Sequence, residues 1–169
     1  IDAGEPCAAT IITEALRKHY GLPPSQVGAD IIDIFSIRAT FISHSDADHV
    51  SGLPMLLQTM HLWQKRGEAF QFHPENRLRL YMPEGAIEPF QNFLRALHLV
   101  KLNYILEIFP IQEGVFYEDD AIAVSAFLNG HLKPEHSYSF SLEAEGRRIV
   151  YSGDLGNERE ILPLLKDVD

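Results

Sequence analysis

The sequence predicts a layered α/β fold, on three observations. Helical and strand-like apolar patterns are mixed along the N-terminal half. Five strand-like stretches then follow one another, from "YILEIFPI" to "RRIVYSGD". A dense group of His and Asp stands where a compact apolar strand ends. Layered α/β folds place their chemistry at strand ends, on loops held by a rigid sheet. The 169 residues suffice for one domain with a substantial core. No repeat, low-complexity stretch or linker divides them, so 1–169 reads as a single domain.

Taken in order, "IDAG" reads as a strand end followed by a glycine turn. Residues 8–20 place Ile11, Ile12, Ala15, Leu16 and His19 at helical spacing, with Gly21 positioned as a C-cap. "LPPSQVGAD" is a loop, and "IIDIFSI" fits either a short helix or a strand. "RATFIS" is a short apolar strand. One helix is expected over 48–66, with Val50, Leu53, Leu56, Leu57 and Met60 along one side and Gly67 at its end. "RLRLYMP" is a strand closed by Pro83, and "AIEPFQNFLRALHLV" is a helix. After the five strands, "EREILPLLKD" reads as a final helix. Met55, Met60 and Trp63 are expected in the core, and Cys7 as a small buried residue. Glu118, Asp119 and Asp120 read as a solvated turn. His19, His61, His73 and His98 read as structural or exposed.

Composition narrows the function. Hydrophobic content of 46% and charged content of 22% are ordinary for a soluble globular protein. No apolar run approaches the ~20 residues of a membrane span. No signal peptide is visible, and a chain opening at Ile1 leaves that question open. The one cysteine cannot close an internal disulfide, which favours a reducing, cytoplasmic setting. A net charge of −10 and no long Lys/Arg cluster argue against a large nucleic-acid footprint.

The segment "FISHSDADHVSGLP" carries the chemistry. His44, Asp46, Asp48 and His49 form H-x-D-x-D-H. Charged and imidazole groups at this density are costly to bury without partners, and a metal is the partner that most easily explains them. In an extended loop residues 44, 46 and 48 point to one side and His49 to another, so one segment can address two ions. The plain alternative is a polar loop in which Asp48 caps the following helix. Asp46 has two roles open to it, as a direct ligand or as a group hydrogen-bonded behind one. Imidazole suits Zn²⁺, Fe²⁺ or Mn²⁺, and added carboxylates favour the harder Mn²⁺.

The cluster resembles the H-x-H-x-D-H signature of the metallo-β-lactamase superfamily, with Asp46 in place of the second His. "VSGLPMLLQTM" resembles the G-L-P-x-L-L run of its RNase Z-like branch. "IDAGEP" is similar to the upstream D-x-G-E strand end. "GHLKPEHSYSFSL" is similar to the H-x-x-P-x-x-x-Y-x-F segment through His131, Pro134, Tyr138 and Phe140. "YSGDLG" is similar to the S-G-D turn at Ser152, Gly153 and Asp154. The H-x-D-x-D-H variant itself resembles the nuclease domains of DNA-uptake proteins.

The resemblance implies an αββα sandwich, here trimmed at both ends, with two divalent ions (Zn²⁺, Mn²⁺ or Fe²⁺) between the sheets. It assigns His44, Asp46 and His131 to one ion and Asp48 and His49 to the other, with Asp154 bridging. The family's late His ligand has no counterpart after Asp154. Asp48 is the expected catalytic residue, binding metal and orienting the hydroxide that the ion pair activates. His136 reads as a surface residue or one lying behind the ligands. The expected activity is a metal-dependent hydrolase of phosphodiesterase or nuclease type, acting on a small-molecule or nucleotide phosphodiester. The alternatives are a hydrolase of other esters, thioesters or lactams, or a non-catalytic metal-binding member. A homodimer is compatible with the resemblance. Processing of tRNA precursors is not the expected main activity. The resemblance implies a long tRNA-binding arm between His131 and Asp154, where this sequence has two strands and a turn.

Overall fold

A computed structural model describes residues 2, 4–25, 34–64, 77–133 and 135–166. The expectations for Ile1, Ala3, Gly67, His73, Pro134 and residues 26–33 and 65–66 lie outside them.

Two sheets face each other. The first is parallel, in the order β1 (Ala39–Phe41), β2 (Arg77–Met82), β3 (Ile105–Pro110), with Thr40 opposite Leu80 and Leu80 opposite Ile108. Helices α2 (Ala47–Val50) and α3 (Leu53–Gln64) lie between β1 and β2 in the chain, and α4 (Glu84–Ala96) between β2 and β3. The period of two along β2 sends Leu78, Leu80 and Met82 into a cluster with α1 (Glu5–His19), α3 and α4. Tyr81, of opposite parity, packs into a second cluster between the sheets.

The second sheet is an antiparallel meander of β4 (Gly114–Glu118), β5 (Ala123–Asn129), β6 (Ser137–Ala144) and β7 (Arg147–Tyr151). Its inner face presents Val124, Ala126, Tyr138 and Phe140 to Phe41 of β1. Phe41 meets Tyr117 at 5.2 Å and Phe116 at 5.5 Å between ring centroids, both edge-on, so the sheets are joined mainly by aromatic contacts.

Several expectations need correction. The helix expected over 48–66 breaks at Ser51 and Gly52 into α2 and α3. Pro54 has no N–H to donate, and its ring would strike the carbonyl of Val50 in a continuous helix, so it opens a new one instead. Pro163 acts similarly near the C-terminus, where two short 3₁₀ turns, Glu158–Glu160 and Leu162–Leu165, replace the expected final helix. "IIDIFSI" resolves, where described, to a 3₁₀ turn over Ile34–Ser36. Cys7 is exposed, because the buried stripe of α1 runs through Ala8, Ile11, Ile12 and Ala15, one residue around the helix. Met55 is 43% exposed, off the stripe of Leu53, Leu56, Leu57 and Met60. His61 is structural, its Nδ1 accepting from the Asn103 N–H, while His19 and His98 are exposed.

The turn at 118–120 is bonded rather than merely solvated. Asp119 accepts from the N–H groups of Ala121 and Ile122 at 2.9 Å and from the Tyr117 hydroxyl at 2.6 Å. The Tyr117 hydroxyl, with the Ala121 N–H behind it, holds the carboxyl below its ordinary range. Asp119→Ala should lower stability by about 1–2 kcal/mol at neutral pH. A depressed carboxyl contributes fully above its unfolded value and loses that contribution as pH falls through the folded one. The gap between wild type and variant should therefore narrow below about pH 4. Urea titrations at pH 7 and pH 3 check this; an equal gap at both contradicts it.

Candidate metal centre

Strand ends gather the predicted residues. Beyond β1, the Ile42 N–H still donates to Tyr81 at 2.8 Å, and the Ser43 carbonyl accepts from the Tyr138 N–H at 3.0 Å. The second bond ties the end of the parallel sheet to the start of β6 and leaves His44 fully buried. The chain then turns into α2, which carries Asp48 and His49. Asp46 sits at its N-cap yet makes no capping bond. Its Oδ2 lies 3.5 Å from His44 Nε2 and 3.4 Å from His131 Nε2 instead.

His131 follows β5. Asn129 Oδ1 accepts from the His131 N–H at 3.2 Å and from the Ser137 hydroxyl at 2.5 Å, which ties the residues after β5 to the start of β6. Asp154 follows β7 on the Ser152-Gly153 turn. Gly153 has φ +58°, and a Cβ there would sit 2.9 Å from the Tyr138 carbonyl and 3.2 Å from Ser43 Cβ. Only glycine lets this turn press onto the end of β1, opposite His44 and His49.

The six predicted residues converge. His44, His131 and Asp154 offer ligand atoms within 4.8 Å of one another, and so do Asp48, His49 and Asp154. Asp154 Oδ1 lies 3.4 Å from His49 Nε2, and its Oδ2 lies 3.9 Å from His131 Nε2, so its two oxygens face different histidines. Asp48 Oδ2 is 3.6 Å from His49 Nε2. The His44 ring centroid is 4.0 Å from that of His49 and 4.9 Å from that of His131.

Asp2, to which the sequence pattern assigns no role, orders this group. Asp2 Oδ2 receives the Ser43 hydroxyl at 2.6 Å, the Tyr151 hydroxyl at 2.7 Å and His49 Nδ1 at 2.9 Å; Oδ1 receives the Ser43 N–H at 2.6 Å. Asp2 takes φ +39°, a left-handed conformation that Asp tolerates better than most residues. Gly4 follows it closely, and a Cβ there would fall 2.0 Å from the Asp48 carbonyl oxygen, so glycine is needed for α1 to approach α2. The "IDAG" motif thus carries a carboxylate as well as a turn.

This wiring fixes protons. Since the Ser43 hydroxyl donates to Asp2, its oxygen accepts from His44 Nδ1 at 2.9 Å. His49 Nδ1 donates to Asp2 directly. Both rings therefore carry hydrogen on Nδ1 and turn an Nε2 lone pair inward. His44 Nε2 is buried with no hydrogen-bond partner. A buried, orphaned lone pair facing carboxylates fits a cation. Burial, and then neighbouring His49, push the His44 imidazolium down. Burial opposes the charged form of His49 too, but the hydrogen bond and charge of Asp2, with Asp154 and Asp48, outweigh it and raise His49. The space between His49, Asp48 and Asp154 thus favours a positive charge. Nitrogen and carboxylate donors in these numbers fit Zn²⁺, Mn²⁺ or Fe²⁺.

Known proteins resemble the chain in sequence and in fold. Residues 19–168 match the family model described as Anti-Pycsar protein Apyc1. The ribonuclease Z of Pyrococcus abyssi (strain GE5 / Orsay) is 40% identical over 104 residues, 62% of this chain and 31% of that protein. The ribonuclease Z of Brevibacillus brevis (strain 47) is 35% identical over 106 residues, 63% of this chain and 30% of that protein. The chain therefore spans about a third of the length of these curated relatives. Among solved structures, human tRNase Z, short form (ELAC1), aligns with a TM-score of 0.63 at 20% identity, over 92% of this chain and 57% of that one. The metallo-β-lactamase fold protein YhfI from Bacillus subtilis aligns with a TM-score of 0.68 at 17% identity, over 99% and 56%. At these identities the two structures support the fold, and the family match supports the lineage. The chain belongs to the family described as Anti-Pycsar protein Apyc1, within the RNase Z-like branch of the metallo-β-lactamase superfamily.

Proposed function

We propose that this chain is a metal-dependent hydrolase of small phosphodiesters, acting as one domain over residues 1–169. His44, Asp46 and His131 would hold one divalent ion and Asp48 and His49 a second, with Asp154 shared by the two groups. The observation that carries this reading is the position of Asp154, with one oxygen toward His49 at 3.4 Å and the other toward His131 at 3.9 Å, beside the orphaned His44 Nε2. When bound, such an ion pair would polarise a phosphoryl oxygen and supply a water nucleophile at neutral pH.

The protein's own groups do the rest. Asp2 and Ser43 keep His44 and His49 in the tautomer that presents Nε2. The Asp48 side chain is 78% exposed at the edge of the group, so its carboxylate can orient water and accept its proton. The interval between His131 and Asp154 is taken up by β6 and β7, which supports small substrates over tRNA precursors. No helix among the described residues is long and apolar enough to cross a membrane.

The test combines metal content with turnover of bis(p-nitrophenyl) phosphate in Mn²⁺, Zn²⁺ or Fe²⁺. Two ions per chain with turnover supports the proposal. Metal without turnover of this ester, but with turnover of a thioester or lactam, reassigns the reaction. Metal and no turnover of any of them means a binding protein. Efficient 3′ cleavage of a tRNA precursor overturns the small-substrate reading.

Asp46 sets the expected metal preference. A carboxylate is a harder ligand than imidazole, so Mn²⁺ or Fe²⁺ should compete better here than at an all-His site. Asp46→His should move the order toward Zn²⁺ in competition binding; an unchanged order contradicts a ligand role for Asp46.

A further inference from the structure

We infer that Asn129 is a positioning residue of the metal centre: its side-chain amide ties the loop that carries His131 to the turn that carries Asp154 and holds the two as one piece. The inference rests on the metal-centre reading above and adds what sets the spacing of its ligands. Asn129 ends β5, opposite Ser137 at the start of β6. Asn129, Ser137 and Ser139 have the opposite parity to Val124, Tyr138 and Phe140 in these strands, so their side chains share the outer face of the sheet.

One end of the amide accepts and the other donates. Oδ1 receives the His131 N–H at 3.2 Å and the Ser137 hydroxyl at 2.5 Å, and the Ser137 oxygen receives the Leu132 N–H at 3.2 Å. Nδ2 donates to the Ser139 hydroxyl oxygen at 3.3 Å and to the Ser152 carbonyl at 3.4 Å. The Ser139 hydroxyl donates to that same carbonyl at 2.6 Å. Only Gly153 separates Ser152 from Asp154. Every donor in this chain of bonds meets an acceptor, which fixes the direction of the amide. Ser137 and Ser139 are buried, so bonds lost there are poorly replaced by water.

A second contact joins the same two segments without Asn129. A Cβ on Gly156, just after the Asp154 turn, would overlap the Gly130 carbonyl and stand 3.0 Å from the His131 nitrogen. Gly156 has no positive φ, so close approach of the two backbones, and not conformation, keeps a side chain out. Glu160 closes the same place, its Oε2 accepting the Gly130 N–H at 2.8 Å. His131 and Asp154 offer ligand atoms to one group with His44. His44 is held by the core, whereas His131 is 27% exposed and Asp154 49% exposed. Their separation is set from behind, by the brace, and an ion then meets ligands already in place.

Two variants and a control test the inference. Asn129→Ala removes the brace. Gly156→Ala leaves every hydrogen-bonding group in place and pries the two segments apart. Asp119→Ala is the control, since it removes a comparable set of bonds beyond the other end of β5. The first measurement is ¹⁵N relaxation of backbone amides in the metal-free proteins, which needs neither ions nor turnover. The second is titration with Co²⁺, whose visible absorption reports the geometry of its ligands.

In metal-free Asn129→Ala the His131 and Asp154 amides should gain fast motion together. Co²⁺ affinity should fall at least about tenfold in Asn129→Ala and in Gly156→Ala, with a changed absorption spectrum. Asp119→Ala should melt lower yet keep the wild-type affinity and spectrum. Should Asn129→Ala not fold, Gly156→Ala carries the same two readouts. Motion gained at His131 alone, or wild-type affinity and spectrum in folded Asn129→Ala, overturns the inference while the metal reading stands. An equal loss of affinity in Asp119→Ala reduces the effect to stability and overturns it too. If the wild type takes up no Co²⁺ but the two amides loosen together, the tie between the loops holds and the metal reading fails.

Discussion

Asp154→Ala should remove both ions at once. Asp154 is the one side chain common to the two ligand groups, and its two oxygens face different histidines. Its loss leaves one group with His44, His131 and Asp46, and the other with Asp48 and His49 only. Bound metal should fall from two ions per chain to less than one after dialysis. The phosphodiester rate should drop by at least about 10³-fold, equivalent to ~4 kcal/mol, because both charges that stabilise the reaction leave together. His131→Ala is the informative comparison. It disrupts only one group, so about one ion should remain. The fold should survive either change, since Asp154 is 49% exposed and His131 27% exposed. Elemental analysis read beside a thermal melt checks this. Asp154→Ala retaining two ions, or His131→Ala losing both, contradicts the bridging assignment.

The sequence carried much of this, for physical reasons that differ by element. The alternation in "RLRLYM" is legible because a strand between two packed layers must send successive side chains to opposite faces, as β2 does. His44, Asp46, Asp48 and His49 are legible as candidates because they lie close together in sequence, within one loop and one turn of helix. The break between α2 and α3 is not visible in the apolar spacing, which runs unbroken from Val50 to Met60; it follows from Pro54, a backbone effect that periodicity does not report. Cys7 and Met55 were misplaced because each neighbours a buried stripe without belonging to it. The role of Asp2 is invisible for a different reason. Its partners Ser43, His49 and Tyr151 lie 41, 47 and 149 residues away, and only the closed fold brings them to one carboxylate.

Asp2→Asn should weaken metal binding although the residue belongs to neither ligand group. Three donors converge on Asp2 Oδ2 and a fourth on Oδ1. An amide cannot reproduce this: it has no negative charge, and its NH₂ would face a donor wherever it is placed. The Ser43 hydroxyl then loses the acceptor that fixes its direction, and His44 Nδ1 loses a defined partner in turn. His49 loses the charge that sets its tautomer. Partners of this kind behind metal-bound histidines are worth about 10–100-fold in affinity or activity, and Asp2 serves two histidines at once, which places the expected loss toward the upper end. The backbone contribution of Asp2 is kept, since its N–H donates to the Phe41 carbonyl at 2.7 Å whatever the side chain. Tyr151→Phe removes one donor and leaves the carboxylate, so its effect should be several-fold smaller. Calorimetric titration of metal into the metal-free proteins separates the cases. A purely structural role for Asp2 would lower the melting temperature and leave the affinity of the folded protein unchanged; the wiring seen here requires the affinity itself to fall, and an unchanged affinity in a folded Asp2→Asn protein would remove Asp2 from the site.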